Sequence, residues 1–220
     1  MNTKIACAKC GKYACHGQPE ESPRGCPART EAQTIERAVE AYSVPETKEF
    51  ARQASIQEFE CYMHLPEGRT PRNPRVEEIV QFAKKMKYRK LGVAFCYGLR
   101  AEARILNEIL ENRGFEVASV CCKVGSVPKE ELGLTAEQKI AGPDAREAMC
   151  NPIAQAEILN AQKTDFNIVV GLCVGHDSLF FKHSTAPVTV LVAKDRVFGH
   201  NPVAGLYTAK SYYKKLMRKE

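Results

Sequence analysis

Residues 91–96 read Leu-Gly-Val-Ala-Phe-Cys, a nearly unbroken apolar run. Two runs of the same kind follow later in the chain, Phe166-Asn-Ile-Val-Val-Gly-Leu-Cys173 and Val188-Thr-Val-Leu-Val-Ala193. Segments of this length that are apolar at almost every position are typical of strands buried on both faces, as in parallel sheets. These three segments predict an α/β fold.

Helical patterns alternate with the strands. Residues 99–112 and 152–162 carry apolar side chains at helical spacing, and another strand is predicted over 115–124. We predict a Rossmann-like, mostly parallel four-stranded sheet with helices on both faces, followed by a final helix over 202–217. No Gly-x-Gly-x-x-Gly motif follows the first strand, so a dinucleotide fingerprint is absent.

Three regions are predicted along the chain. Residues 1–30 are rich in Cys, Gly, Pro and Lys and lack apolar periodicity, which indicates a four-cysteine metal-binding knuckle built from loops. Residues 31–88 are predicted to be helical, with a connector dense in turn residues over 66–74. The α/β domain is predicted to occupy residues 89–220.

Composition restricts the class of protein. The chain has 220 residues, of which 44% are hydrophobic and 26% charged, as in ordinary globular proteins. We see no signal peptide in MNTKIACAKC and no apolar run of membrane-spanning length, so a cytoplasmic protein without a membrane partner is expected. Thiols stay reduced in that compartment, and the 10 cysteines therefore favour metal binding or catalysis over disulfides.

The positive charge has a local origin. Lys and Arg number 32 against 26 Asp and Glu, which gives a formal net charge of +6. Residues 210–220 hold five basic residues and one acidic residue, so this end accounts for most of the excess. A basic end of this kind favours a terminal helix through its dipole, and nucleic-acid binding is not predicted.

Four cysteines form a tight pattern near the N-terminus. Cys7, Cys10, Cys15 and Cys26 have the spacing C-x2-C-x4-C-x10-C, with Gly11, Gly17 and Gly25 between them. Glycines permit the tight turns that a short ligand loop needs. The pattern predicts a metal site holding either zinc or an iron–sulfur cluster, with His16 as a substitute ligand. The alternative is four ordinary buried cysteines.

Four further cysteines are predicted at one edge of the sheet. Cys96 and Cys173 end strands, Cys122 lies late in another strand, and Cys150 precedes an Asn-Pro helix start. Ligands bind beyond the carboxyl ends of strands in open parallel sheets. A helix N-terminus also favours the thiolate form of a cysteine. We predict a second metal, cluster or thiol-reactive site there, although a strand-end cysteine can equally be a core residue.

Two histidines are predicted near the same edge. His176 follows Cys173 in the loop after the third strand, and His200 follows Lys194-Asp-Arg196 at the end of the fourth. Asp177 next to His176 is predicted to cap the following helix. Cys61 and Cys121 are interpreted as structural.

A family resemblance is carried by these same residues. It rests on the Cys7–Cys26 pattern, Phe95-Cys-Tyr-Gly-Leu99, Met149-Cys-Asn-Pro152, Gly171-Leu-Cys-Val-Gly-His-Asp-Ser-Leu-Phe180, and Lys194-Asp-Arg196 with His200-Asn-Pro202. The chain resembles small, cysteine-rich prokaryotic proteins described as uncharacterised predicted metal-binding proteins. The resemblance implies metal binding in the cytoplasm of a bacterium or archaeon, often an anaerobe, and implies no reaction.

Three functions remain open at this point. The first is a two-part metalloprotein with zinc or an iron–sulfur cluster, acting in redox or sulfur chemistry on a small molecule or redox partner. The second is a metal sensor or carrier that catalyses nothing. The third is a thiol enzyme with Cys150 as nucleophile and His176 or His200 as base. The metal, the substrate and the oligomeric state are not determined by the sequence.

Overall fold

The structure, a computed structural model, describes residues 5–219. The first four residues of the predicted knuckle lie outside the described residues. The chain divides into two compact units, one ending at Arg69 and the other beginning at Thr70. Within residues 5–219, no helix is long and apolar enough to cross a membrane.

The first unit consists of turns followed by helices. Its elements are 3-10 turns at Cys7–Lys9, Ala14–His16 and Pro19–Glu21, and helices α1 (Pro27–Thr30), α2 (Ala32–Glu40) and α3 (Pro45–Glu60). Proline occupies the first turn of α1 and of α3, where its missing N–H costs nothing. Among the residues from 5 to 69 whose burial is described, only Ser22 and Gln57 are buried, and both are polar. The described part of this unit therefore has no apolar core.

A short hairpin follows α3. Strands β1 (Tyr62–Leu65) and β2 (Gly68–Pro71) form a two-stranded sheet, and the boundary between the units falls within β2. The sequence pattern over 66–74 predicted only a connector. Strand β2 was missed because its four residues are all exposed and lie among turn residues, so they show no burial pattern.

The second unit alternates helices and strands. It contains α4 (Arg75–Lys85), β3 (Lys90–Phe95), α5 (Arg100–Asn112), β4 (Glu116–Cys121), α6 (Pro152–Ala161), β5 (Phe166–Val170), α7 (His176–His183), β6 (Val188–Val192) and α8 (Val203–Thr208). The strand order is β4-β3-β5-β6, and every pairing is parallel. The predicted α/β class and four-stranded parallel sheet are confirmed.

The core lies on both faces of the sheet. On one face, Ala94 of β3 packs with Leu159 of α6 and Phe180 of α7, all of them fully buried. Leu91 and Val93 alternate with Ala94 along β3 and are also fully buried, so the opposite face is covered as well. Because the four strands are parallel, their carboxyl ends all meet at one edge of the sheet.

The predicted final helix over 202–217 is wrong in extent. Helix α8 ends at Thr208, and a separate 3-10 turn covers Lys214–Met217. Leu206 is 74% and Tyr212 94% exposed, so the apolar residues in this segment gain little by packing. Without burial of an apolar face, a short helix with several like charges is not stabilised.

Candidate functional site

Cys96 and Cys122 lie side by side at the carboxyl ends of β3 and β4. Phe95 is in register with Cys121 in the parallel pairing of these strands, so the next residue of each strand follows at the same level. The Cys122 amide donates to the Phe95 carbonyl at 2.8 Å, which extends the ladder by one bond. Both cysteine side chains are buried, with exposed fractions of 9% for Cys96 and 2% for Cys122.

Cys150 approaches the same place from the far end of a long loop. The loop after β4 folds back on itself, and the Met149 amide donates to the Val127 carbonyl at 2.8 Å. The Asn151 amide then donates to the Cys122 carbonyl at 2.7 Å. Asn151 Oδ1 accepts a bond from the Ala154 amide at 3.0 Å and so caps α6, as its Asn-Pro sequence predicts. Cys150, immediately before this cap, is half-buried.

Cys96, Cys122 and Cys150 pack into the same group of side chains at this edge of the sheet, and we call them the thiol cluster. Cys122 is central, because it is the thiol whose interaction shifts the pKa of both other cysteines. The Tyr97 amide also donates to Cys122 Sγ at 3.3 Å. Three cysteines from separate parts of the chain thus lie close together at one edge of the sheet.

The outer members of the thiol cluster have lowered pKa values. The pKa of Cys96 falls from 9.0 to about 5, chiefly because of its hydrogen bond with Cys122, with the Gly98 amide and Lys194 acting in the same direction against burial. The pKa of Cys150 falls to about 6. Its largest cause is again the hydrogen bond with Cys122.

Cys122 behaves in the opposite way. Its pKa is raised far above that of a free thiol, because its proton is held by the hydrogen bonds to Cys150 and Cys96 and because it is buried. The folded state therefore favours the thiolate forms of Cys96 and Cys150 and the thiol form of Cys122. The positive charge of Lys123, and that of His176 when it is protonated, further favours the thiolate of Cys150.

Lys194 places a positive charge on the thiol cluster. Its Nζ lies 3.3 Å from Cys96 Sγ, and two glycines leave room for its long side chain. A Cβ added at Gly98 would lie 3.4 Å from Lys194 Nζ, and one at Gly171 would lie 3.7 Å from its Cδ. Sequence reasoning noted Lys194 at a strand end and gave it no role, because a contact between residues so far apart along the chain leaves no local pattern.

Cys173, the fourth cysteine predicted at this edge, is not a member of the thiol cluster. Its sulfur accepts a hydrogen bond from Arg196 Nη2 at 3.1 Å. Its carbonyl accepts the amides of His176 and Asp177 at 2.9 and 3.1 Å, which begins α7. Asp177 accepts the amides of Gly175 and Ser178 from within the first turn of α7. The N-cap is Gly175 and has no side-chain hydrogen bond, so the prediction that Asp177 caps this helix is wrong. The structure therefore pairs Cys173 with a guanidinium.

The two candidate histidines have different surroundings. His176 begins α7, and its charge acts on Cys150. His200 instead closes a turn, since its Nδ1 accepts the Asp195 amide at 3.1 Å and its backbone has a φ of 65°. Of the two, His176 is the one with an electrostatic effect on a cysteine of the thiol cluster.

The N-terminal cysteines lie in a separate group. Cys7, Cys10 and Cys26 line a cavity of about 340 Å³, whereas Cys15 lies on the next turn and is not among its lining residues. Cys10 Sγ accepts the Tyr13 amide at 3.4 Å. Hydrogen bonds from the backbone amides of Tyr13, and to a smaller extent Lys12, lower the pKa of Cys10. His16 is exposed on the same turn as Cys15.

The described side chains, as placed, form no ready-made metal site. Between residues 5 and 219, no three or more Cys, His, Asp or Glu side chains are grouped so that they could hold a metal ion. Cys96, Cys122 and Cys150 are accordingly near one another without being arranged as metal ligands. Of the remaining cysteines, Cys61 donates to the Gln57 carbonyl at 2.9 Å, and Cys121 belongs to β4.

Comparison with known proteins gives two matches. A family model described as "Protein of unknown function (DUF1847)" matches residues 26–191, a range that contains the thiol cluster and begins after Cys15. The uncharacterized protein MJ0455 of Methanocaldococcus jannaschii is 42% identical over 213 residues, covering 97% of this chain and 98% of that protein. Both matches agree with the expected resemblance to a prokaryotic family of unknown function.

Proposed function

The chain belongs to the family described as protein of unknown function DUF1847, and we propose that it is a thiolate metal-binding protein centred on the thiol cluster. The main support is that Cys96 and Cys122 lie in one buried cluster with Cys150 packed against it, where Cys122 shifts the pKa of both other thiols. Three neighbouring cysteines provide the soft ligands that zinc and iron–sulfur clusters require. The fourth coordination position would then be open to a substrate, as in catalytic metal sites.

The charge balance of the thiol cluster supports a metal ion. Cys96 and Cys150 are already thiolates near neutral pH, and Cys122 retains its proton because a third adjacent negative charge would be costly. A divalent ion or an iron–sulfur cluster removes that cost, and its binding releases the Cys122 proton. Lys194 and Lys123 balance part of the remaining negative charge.

Metal loading requires a local rearrangement. Because no described group holds an ion as placed, the three side chains must turn about their Cα–Cβ bonds toward a shared centre. Cys150 is half-buried and lies in a loop, so it is the most easily moved of the three. The proposed site is therefore assembled by the metal rather than fully formed without it.

The N-terminal unit is proposed to hold a second, structural metal. Cys7, Cys10 and Cys26 line one cavity, and the described part of this unit lacks an apolar core. Units below about 70–80 residues usually need such a staple to fold. Zinc and an iron–sulfur cluster both suit thiolate ligands. Because both sites need reduced thiols, a cytoplasmic location is part of the proposal.

Metal analysis of matched variants tests the proposal. The protein is purified without oxygen, its zinc and iron are counted, and absorbance near ~400 nm is recorded, since thiolate-bound iron–sulfur clusters absorb there. Replacing Cys96, Cys122 and Cys150 together by Ser is expected to remove one metal centre, whereas Cys121→Ser retains it. Equal metal content in the triple variant and the wild type would refute the proposal.

A second function, thiol catalysis by Cys150, is favoured by a separate observation. Cys150 is half-buried, directly precedes the cap of α6, and is influenced by the charge of His176. A thiolate at such a position is a nucleophile at neutral pH. Alkylation of the metal-free protein at pH 7 distinguishes this function, because Cys150 must react faster than a free cysteine under the same conditions.

A further inference from the structure

A buried glutamine lies directly against the strand ends that carry two of the cysteines. Gln155 of α6 is 0% exposed. Its Nε2 donates to the Val120 carbonyl at 2.7 Å and to the Phe95 carbonyl at 3.2 Å. Both partners are carbonyl oxygens, so only the amide nitrogen can make these bonds and the orientation of the side chain is fixed.

The two carbonyls adjoin the thiol cluster. Phe95 immediately precedes Cys96, and its carbonyl also accepts the Cys122 amide at 2.8 Å. Val120 lies two residues before Cys122 on β4. Gln155 therefore connects the ends of β3 and β4 at the level where their cysteines emerge.

Cys150, the third cysteine, is connected to Gln155 through the first turn of α6. The Gln155 amide donates to the Asn151 carbonyl at 3.1 Å, within the first turn of α6. Asn151 directly follows Cys150 and donates its own amide to the Cys122 carbonyl at 2.7 Å. One residue thus joins the three chain segments that supply the three sulfurs.

Placing glutamine here has a cost that an apolar residue would avoid. Gln155 Oε1 is buried and accepts no hydrogen bond within the described part of the chain. An unsatisfied buried acceptor destabilises the folded state. An apolar side chain of similar size would avoid that cost but would lose the bonds to the Phe95 and Val120 carbonyls, so these two bonds are what the glutamine contributes here.

We propose that Gln155 is a positioning residue that holds Cys96, Cys122 and Cys150 close together through the carbonyls of Phe95 and Val120. This inference rests on the proposed function, because it assigns Gln155 to the site that would bind the metal. Its role is nevertheless defined by the distances among the three sulfurs, which can be measured without metal.

Thiol cross-linking of the metal-free, reduced, full-length protein tests the proposal. Dibromobimane joins two thiols only when they are close, and mass spectrometry identifies the Cys122–Cys96 and Cys122–Cys150 products. Gln155→Met keeps the size of the side chain and removes the donor, and it is expected to lower the rate of these cross-links roughly tenfold or more. Leu159→Met, a size-conserving change at another fully buried position of α6, is the matched control and keeps the wild-type rate.

A conservative variant separates positioning from general loosening. In Gln155→Glu the carboxyl can donate to a backbone carbonyl only while it is protonated, and burial raises its pKa. Relative to the wild type at each pH, its cross-linking rate is expected to recover as the pH is lowered. A folded Gln155→Met protein that cross-links at the wild-type rate, or a Gln155→Glu protein without recovery, would overturn the proposal.

A wild-type measurement covers the case in which neither variant folds. Cross-linking Cys122 to Cys96 inserts a bimane bridge between the two sulfurs and displaces the strand ends to which Gln155 is bonded. The side-chain amide signals of Gln155 in an NMR spectrum must therefore shift. Unchanged signals would contradict the positioning role. Failure of the wild type to bind metal refutes the proposed function alone, because all three experiments use metal-free protein.

Discussion

Lys194 Nζ lies 3.3 Å from Cys96 Sγ, joining the end of β6 to the end of β3 across β5. Gly171 lies beside this contact, and a side chain there would place its Cβ 2.0 Å from Leu99 Cδ1 and 3.7 Å from Lys194 Cδ. A positive charge is thereby held against one end of the thiol cluster, and this arrangement leads to the first prediction.

Lys194→Met should raise the pKa of Cys96 above its value of about 5, because the variant loses both a hydrogen bond and a positive charge. Losing a partly screened charged hydrogen bond of about 1 kcal/mol slows alkylation of Cys96 at pH 5 roughly threefold. Iodoacetamide labelling read by mass spectrometry measures this rate for each cysteine.

The matched control is Lys123→Met. Lys123 acts on Cys150 and is not among the groups that shift Cys96, so this variant should slow labelling of Cys150 and leave Cys96 unchanged. Identical labelling profiles for the two lysine variants would contradict a separate pairing of Lys194 with Cys96.

The metal-free protein should gain stability from Cys96 as the pH rises. The folded pKa of Cys96, about 5, lies below the ordinary value of 9.0, so the folded state favours the thiolate. That contribution is complete above pH 9, shrinks as the pH falls, and is lost below pH 5. Urea unfolding of the wild type and of Cys96→Ser measures it as a difference in the free energy of unfolding.

That difference should increase from pH 5 to pH 9, and titrating groups that do not interact with Cys96 cancel between the two proteins. Cys122 works in the opposite sense, because its raised pKa stabilises the folded state at low pH and opposes it above pH 9. A difference that stays flat between pH 5 and pH 9 would mean that Cys96 is a protonated thiol in the folded protein.

Sequence patterns predicted the sheet well because its strands are continuous apolar segments. Residues 91–96 and 166–173 predicted β3 and β5 to within a few residues, and the parallel pairing follows from the helices between them. Hairpin strands β1 and β2 were missed, since their exposed residues give no burial pattern. The end of the last helix was wrong for a related reason, since most described side chains after Thr208 are exposed and only Ala209 is buried.

The candidate site was only partly predictable. Strand ends indicated that Cys96 and Cys122 belong to one edge, and an Asn-Pro helix start indicated the same for Cys150. Whether a sulfur meets another sulfur or a guanidinium depends on side-chain directions in loops, which is why the pairing of Cys173 with Arg196 was not foreseen. Gln155 gave no signal, since a single glutamine on a helix is usually exposed.

Gly171→Ala should destabilise the protein by more than its backbone conformation alone requires. Gly171 has a φ of +66°, and an added Cβ would lie 2.0 Å from Leu99 Cδ1. Crowding in a packed core costs about 1–3 kcal/mol beyond the roughly 1–2 kcal/mol of a left-handed backbone. Thermal or urea unfolding measures the total.

Gly199→Ala provides the comparison for this change. Gly199 has a similar φ of +57°, and an added Cβ would meet nothing within 4 Å. It should therefore show the backbone cost alone. Equal destabilisation by the two variants would mean that Leu99 moves aside freely and that a side chain at position 171 is tolerated beside Lys194.

Removing the metal should unfold the N-terminal unit before the α/β unit. The described residues from 5 to 69 bury only two side chains, both polar, so a metal held by Cys7, Cys10 and Cys26 would supply most of the stabilisation there. We expect chelation, or the Cys10→Ser variant, to expose amides of α2 and α3 to rapid hydrogen exchange. Amides of β3 and β5 should stay protected, because these strands are buried on both faces.

Cys61→Ser is the control, since this thiol belongs to the same unit but bonds to the Gln57 carbonyl rather than lining the cavity. Its metal content and exchange pattern should match the wild type. Slow exchange of α2 and α3 in fully metal-free protein would show that contacts other than a metal stabilise these helices. The N-terminal cysteines would then have no part in folding, and any metal they bind would have to serve another purpose.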